Sequence, residues 1–346
     1  MAKQLKLGLN TGYWAGGPPA GVQESIAEAE RLGFDSMWTA EAYGSDCLTP
    51  LAWWGASTSK IRLGTAIVQM SARQPAATAM AAMTMDLLSG GRFVLGLGVS
   101  GPQVVEGWYG MPFAKPLART REYIGILRDI WARKGPVTAD GEHYKLPYPG
   151  GTGLAKPLKS SIHPLREDIP IFLGAEGPKN IALCAELCDG WLAMLFAPEQ
   201  QDVYRGYLEE GFARPGARRT LESFEVNATV PFIVSDDVDQ AADALRPFYA
   251  LYFGGMGAKG TNFHANVAIR MGYEKEVDEI AGLYLEGKKD EAAAKVPRKL
   301  IEQMSLIGPK EKIREELERW RESIVTTLLI SGDAATLRAA AELVLG

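Results

Sequence analysis

Short apolar runs alternate with longer segments whose apolar positions recur at helical spacing along almost the whole chain. Residues 5–10 predict a strand. Residues 21–32 predict a helix, with apolar or small side chains at Val22, Ile26, Ala29 and Leu32, and Gly33 supplies its stop. A second strand follows at 35–40. The pattern then predicts strand 61–68 with helix 75–88, strand 92–99 with helix 117–133, strand 169–175 with helix 178–188, and strand 189–196 with helix 198–212. Strand 224–234 with helix 238–251 and strand 324–331 with helix 334–345 bring the total to eight units. Such alternation argues for a parallel sheet with helical crossovers. Eight units suggest an α/β chain closed into a (β/α)8 TIM barrel, a single domain over residues 1–346.

Two stretches break the repeat. Residues 135–168 hold Asp140-Gly141 between short extended runs, a hairpin signal, and then a coil rich in Gly, Pro and Lys. Residues 252–308 hold Gly254, Gly255, Gly257 and Gly260 and then helical segments. Insertions of this length in a barrel sit as a rule above its active face, so both read as lid or pocket material.

Composition narrows the function classes. The 346 residues carry 37 basic and 42 acidic side chains, a net charge of −5, which argues against nucleic acid or an anionic membrane as the main partner. Three cysteines, Cys47, Cys184 and Cys188, are too few for a disulfide framework and point to a reducing compartment. The first residues lack the apolar core of a secretory signal, and no run is long enough to span a membrane. The expectation is a cytoplasmic protein.

Several motifs carry candidate chemistry. Gly96-Leu-Gly98-Val-Ser-Gly101 spells a dinucleotide fingerprint, but it ends the fourth strand rather than the first, and Pro102 follows it. It reads better as backbone passing close to a flat ligand. Gly174-Ala-Glu-Gly177-Pro178-Lys179-Asn180 joins the fifth strand to its helix, where free N–H groups, the helix dipole and Lys179 suit a phosphate. An ordinary tight turn is the alternative there. Ala76, Ala77, Ala79, Ala81 and Ala82 read as close packing of a helix on the barrel. Cys184 and Cys188 share a helix face and read as buried packing. His143, His163 and His264 lie far apart in the insertions, so no metal site is assigned. Residues 310–322 read as a solvated amphipathic helix with Ile313, Leu317 and Trp320 on its apolar side. At the C-terminal ends of strands stand Asn10, Thr11, Glu41, Gln69, Ser100, Glu176 and Ser331, which form no self-sufficient nucleophilic set. Together with Tyr13, Trp14 and Tyr43, they suggest a flat cofactor that brings the chemistry with it.

The chain resembles the luciferase-like monooxygenase superfamily, in the branch that uses the deazaflavin coenzyme F420. The segments that carry the resemblance are Gly33-Phe34-Asp35-Ser36-Met37-Trp38-Thr39-Ala40-Glu41, Ile61-Arg62-Leu63-Gly64-Thr65-Ala66-Ile67, Leu87-Leu88-Ser89-Gly90-Gly91-Arg92-Phe93-Val94-Leu95-Gly96-Leu97-Gly98, and Gly110-Met-Pro112-Phe113 with Arg119, Arg121 and Glu122 beyond. The resemblance implies a flavin-type TIM barrel, a homodimer, with the ring at the C-terminal ends of the strands. It implies a non-proline cis peptide backing the ring, by position Ala66–Ile67. Gly98, Val99 and Ser100 would flank the cofactor, Gly174, Ala175, Glu176, Gly177 and Lys179 would meet its phosphate, and Asn10 and Ala40 would complete the set.

The chain also departs from that pattern. Sugar-phosphate dehydrogenases of the branch carry an acid followed by His after strand two and a Glu after strand four. Here those positions read Glu41-Ala42 and Gly101, which argues against sugar-phosphate oxidation. Glu41 remains as the expected catalytic residue. The expected activity is hydride transfer between coenzyme F420 and a small organic substrate. The alternatives are an FMN-dependent monooxygenase, a cofactor binder without turnover, and an open-sheet NAD enzyme.

Overall fold

In the computed structural model, which describes residues 4–14, 16–257 and 262–346, eight strands pair in parallel around a ring. They are β1 (Lys6–Asn10), β2 (Ser36–Thr39), β3 (Arg62–Thr65), β4 (Phe93–Gly98), β5 (Ile171–Gly174), β6 (Gly190–Ala193), β7 (Glu225–Thr229) and β8 (Thr327–Ile330). β8 pairs with both β1 and β7, and β3 pairs with β4, so the sheet closes without an edge. The predicted (β/α)8 barrel is present.

Helices α1 (Val22–Leu32), α2 (Leu48–Gly55), α3 (Pro75–Leu88), α4 (Pro116–Ala132), α5 (Pro178–Leu187) and α6 (Gln201–Phe212) follow the first six strands. The hydrophobic pattern misses α2, whose Leu-Thr-Pro-Leu-Ala-Trp-Trp-Gly run carries no charge to mark an outer face. The seventh unit differs from its prediction. The run 224–234 is split at Pro231, which has no N–H to continue a ladder. Phe232–Val234 leaves the barrel and pairs instead with Leu306–Gly308. The next helix, α7 (Val238–Ala250), therefore belongs to the insertion and not to the barrel wall. With the helical turns through Gln303 it builds a separate core around Tyr249, Phe253, Ile280, Leu300 and Ile301. The wall position falls to α8 (Lys310–Glu322), which buries Ile313, Leu317 and Trp320 against the barrel, as the amphipathic pattern predicts. α9 (Ala334–Val344) closes the circuit against α1.

The first insertion is only partly lid-like. Ala139–Asp140 and Lys145–Leu146 form the predicted hairpin, whose loop N–H groups at Glu142, His143 and Tyr144 are accepted by the Glu122 carboxylate at 2.9–3.0 Å. Beyond it the chain runs down the outside of the barrel. Arg128 pairs with Asp168 at 2.5 Å, and Arg166 pairs with the buried Asp86 at the foot of α3. Of the glycine-rich stretch in the second insertion, Gly254 and Gly255 sit where a Cβ would strike Tyr284, and Gly260 lies outside the described residues.

Inside the barrel the middle layer is filled by Trp38 and Phe172, with ring centroids 5.6 Å apart and both side chains buried. Glycines make that space. A Cβ on Gly64 would lie 2.3 Å from the Trp38 ring, and one on Gly190 2.6 Å from Phe172. Gly8 faces the same indole, whose Nε1 donates to Ser36 Oγ at 2.9 Å. Below this layer Arg62 bonds Glu225 at 2.7 and 2.9 Å and also pairs with Asp35, which plugs the N-terminal end. Gly64→Ala should overpack this layer and lower stability by about 1–3 kcal/mol in urea unfolding. Gly125→Ala is the control: it lies in α4 with open space around an added Cβ, and it should raise stability by roughly 0.5–1 kcal/mol.

Candidate functional site

Barrel chemistry gathers at the C-terminal ends of the strands, and here the side chains above Trp38 and Phe172 are small. β3 stops at Thr65 and resumes at Val68–Gln69, which pairs with Leu97 and Gly98 of β4. The interruption is a bulge, and its Ala66–Ile67 peptide is cis. Gly96 makes room for it: a Cβ there would lie 1.7 Å from the Thr65 carbonyl, while Thr65 Oγ1 bonds both Gly96 N and O at 2.9 Å. Gly98 and Gly174 accept the Ile67 side chain, at 2.7 and 3.2 Å from where their Cβ atoms would stand. The glycine fingerprint of β4 is thus explained by backbone packing around a bulge. Ala66, Ile67 and Gly174 remain partly exposed and form the floor of the mouth, with Asn10 at the end of β1 and Thr229 at the end of β7.

The turn after β5 is the predicted phosphate cradle. Gly177 caps α5 in an extended conformation, Pro178 takes the first helical position, and the N–H groups of Asn180 and Ile181 bond back to Gly177 O. Among the described residues the N–H groups of Gly177 and Lys179 have no acceptor, and a Cβ at Gly177 would meet nothing. Lys179 is exposed beside them. Ala175 faces the core, and its carbonyl accepts a hydrogen bond from Trp191 Nε1–H at 2.7 Å. A flat cofactor with a phosphate fits these features: a floor of small residues and a row of free N–H donors at a helix start.

On the opposite side, Val99 lines a small cleft with Met70, Ser71, Pro112, Phe113 and Arg119. Ser100 follows it with φ 58°, a left-handed conformation that side chains seldom adopt. Ala40 is buried at the end of β2.

Glu41 is held by its own neighbours. Arg73 Nη1 reaches both carboxylate oxygens at 2.7 Å, and the backbone N–H groups of Gln69 and Cys47 donate to it at 3.3 Å. Burial works against the Arg73 charge, but the hydrogen bonds and charge of Glu41 outweigh it, and its pKa rises. Burial, then the Glu41 charge, pushes the Cys47 thiol up as well, so it stays neutral. The Gln69 side chain and Tyr109 hydroxyl hold the adjoining carbonyls of Glu41 and Ala42. Glu41 therefore anchors the loop after β2 to the bulge of β3.

A second carboxylate is paired differently. Glu176 Oε1 lies 2.6 Å from His264 Nδ1, a histidine supplied by the second insertion. The sequence offered no signal for this contact, because the two residues belong to separate units. Tyr252 stacks edge-on against the His264 ring at 4.9 Å. Half of the Tyr13 side chain is exposed, yet its hydroxyl sits among these groups, where desolvation and then the Glu176 charge raise its pKa. Burial, with Tyr13 and Glu176 adding, raises Tyr252 too.

Comparison with known proteins follows the same lines. The luciferase-like monooxygenase family model matches residues 6–327. A Mycobacterium tuberculosis protein, provisionally named as a coenzyme F420-dependent oxidoreductase, is 55% identical over 347 residues, spanning 99% of this chain and 100% of its own length. A 5,10-methylenetetrahydromethanopterin reductase from Archaeoglobus fulgidus is 30% identical over 305 residues, 87% of this chain and 86% of that protein. The solved coenzyme F420-dependent tetrahydromethanopterin reductase from Methanopyrus kandleri superposes with a TM-score of 0.79 at 23% identity, covering 100% and 99% of the two chains. At that identity the structural likeness speaks for the fold alone.

The Glu41–Arg73 pair yields a direct test. Arg73→Met leaves a buried carboxylate without its cation and should cost about 3 kcal/mol in urea unfolding. Arg73→Lys should recover part of that loss through its point charge. An Arg73→Met protein as stable as the parent would contradict the anchoring role.

Proposed function

The chain belongs to the luciferase-like monooxygenase family, and on that premise we propose that it is a coenzyme F420-dependent oxidoreductase acting on a small organic substrate. The observation that carries this reading is identity of 55% across 99% of the chain with a relative named for that cofactor. The site is compatible with it. When bound, the deazaflavin supplies a two-electron hydride carrier that has no oxygen chemistry of its own. Ala66 and Ile67 would support one face of its ring, Asn10 and Ala40 would stand beside it, and Gly98, Val99 and Ser100 would border it. The N–H groups of Gly177 and Lys179 would hold the phosphate, with Gly174, Ala175 and Glu176 fixing the turn.

Glu41 enters this reading as a positioning residue. Its carboxylate is saturated by Arg73 and two backbone donors, so its work is to hold the bulge under the ring in one place. That modifies the expectation of a catalytic carboxylate at this position. Three free buried thiols accord with a reducing cytoplasmic setting.

A homodimer belongs to the same proposal. α3 buries Ala79 and Ala82 against the barrel but turns Ala76, Ala77, Met80, Thr84, Leu87 and Leu88 outward. Its one charged side chain, Asp86, is buried against Arg166. An uncharged outward helix face suits a second copy of the chain. Met80→Glu should shift sedimentation toward a monomer, and a parent protein that already sediments as a monomer would exclude the dimer.

Two titrations test the cofactor reading. Fluorescence titration should show coenzyme F420 binding at least about tenfold more tightly than FMN, a difference of about 1.4 kcal/mol. Tight FMN binding with oxygen-dependent turnover would instead support a monooxygenase. Gly177→Val, with its added side chain beside the free N–H groups, should weaken F420 binding while leaving the thermal midpoint unchanged. Unchanged affinity would move the phosphate elsewhere.

A further inference from the structure

The second insertion brings a histidine to the barrel mouth, and the turn after β5 meets it there. His264 Nδ1 and Glu176 Oε1 are 2.6 Å apart, an ion-pair distance at which the ring geometry is off the line of a hydrogen bond, and among the described residues Nδ1 has no hydrogen-bond partner. The second oxygen, Glu176 Oε2, is buried without a donor among the described residues. A buried carboxylate in that state is costly unless a positive charge faces it, and the protonated imidazole is the group placed to supply one. We propose that His264 and Glu176 form a proton-transfer pair, in which His264 exchanges a proton with the substrate through Nε2 and Glu176 orients the ring.

The ring is held for such a task. Asn262 Nδ2 donates to the carbonyls of Tyr252 and Phe253 at 2.8 and 2.9 Å, while its Oδ1 accepts from the N–H groups of His264 and Ala265 at 3.0 and 3.1 Å. Tyr252 lies edge-on to the imidazole at an interplanar angle of 87°. With Nδ1 against the carboxylate, Nε2 is left as the nitrogen open to exchange. Glu176 stands between Gly174 and Gly177, so the pair adjoins the cradle assigned to the cofactor.

The groups around the pair are Tyr13, Tyr43, Tyr252, Tyr204 and Arg270. Burial raises the Tyr204 hydroxyl against the opposing effect of Arg270, whose guanidinium lies 6.0 Å from that ring. With Tyr13 and Tyr252 raised as well, these phenols keep their protons near neutral pH.

The pair deepens the proposed function and rests on that reading of the mouth. A hydride carrier delivers two electrons and one hydrogen nucleus, so reduction at a C=O or C=N bond still lacks a proton. A bound deazaflavin would supply the hydride to the carbon, which would leave the former π pair on the heteroatom, and the role of His264 Nε2–H is to give that atom its proton. Solvent then reprotonates the imidazole, and oxidation runs the same steps backward. The substrate class is thus a carbonyl or imine, or the corresponding alcohol or amine.

Histidine Cε1–H NMR of the full chain tests the pair without a known substrate, since the chain has only three histidines and His264→Gln assigns the third signal. Glu176→Gln should lower the His264 titration midpoint by about one pH unit, a tenfold loss of proton affinity. Glu176→Asp, which keeps the charge, should give a smaller shift in the same direction and serves if the Gln variant does not fold. Saturating coenzyme F420 should move the His264 signal and leave that of His163 unchanged. A midpoint unaffected by either substitution would overturn the pair, as would an unmoved His264 signal at saturating F420. If F420 does not bind at all, the cofactor reading fails by itself, and the titration still decides whether the two residues are coupled.

Discussion

The interior of this barrel holds two aromatic rings side by side, Trp38 and Phe172, because Gly8 and Gly64 leave room for the indole and Gly190 leaves room for the phenyl ring. That packing sets how deep the mouth is. With Trp38 and Phe172 filling the middle layer and the Arg62–Glu225–Asp35 ion pairs closing the lower end, no open channel runs through. What remains above is a shallow floor of Ala66, Ile67 and Gly174, flat enough for a planar cofactor. The bulge that forms this floor depends on another absent side chain at Gly96, which lets the Thr65 carbonyl approach. Glycine thus builds the site by removing volume in two successive layers.

Two carboxylates border that floor and do different work. Glu41 is enclosed by a guanidinium and backbone donors, so its charge is spent within the protein. Among the described residues Glu176 faces a histidine and keeps one oxygen without a donor. Sequence position favoured Glu41, because it ends a barrel strand within a recognisable segment. Geometry favours Glu176 as the carboxylate linked to a group able to exchange protons. The difference lies in the partners: Arg73 holds its proton at all ordinary pH values, whereas an imidazole changes charge near neutrality.

Much of the architecture was legible because local rules agree with the fold. Alternation of apolar runs with helical periodicity placed all eight barrel strands, and the helix 75–88 was predicted residue for residue. α2 was missed since its apolar residues surround it. The seventh unit was misread because Pro231 divides one apolar run between two sheets, a distinction that periodicity does not encode. The glycine motif of β4 was correctly separated from a dinucleotide site, but its reasons, the Thr65 carbonyl and the Ile67 side chain, are contacts between strands. His264 was read as an isolated histidine because its partner sits in a different βα unit, and only closure of the insertion over the barrel brings them together.

The account stands on where a cofactor lies in the mouth. A crystal structure of the chain with coenzyme F420 tests this most directly. The account predicts the deazaflavin ring against the Ala66–Ile67 peptide and the phosphate within hydrogen-bond distance of the Gly177 and Lys179 N–H groups. A ring bound away from the β3 bulge, or a phosphate held by other residues, would contradict it.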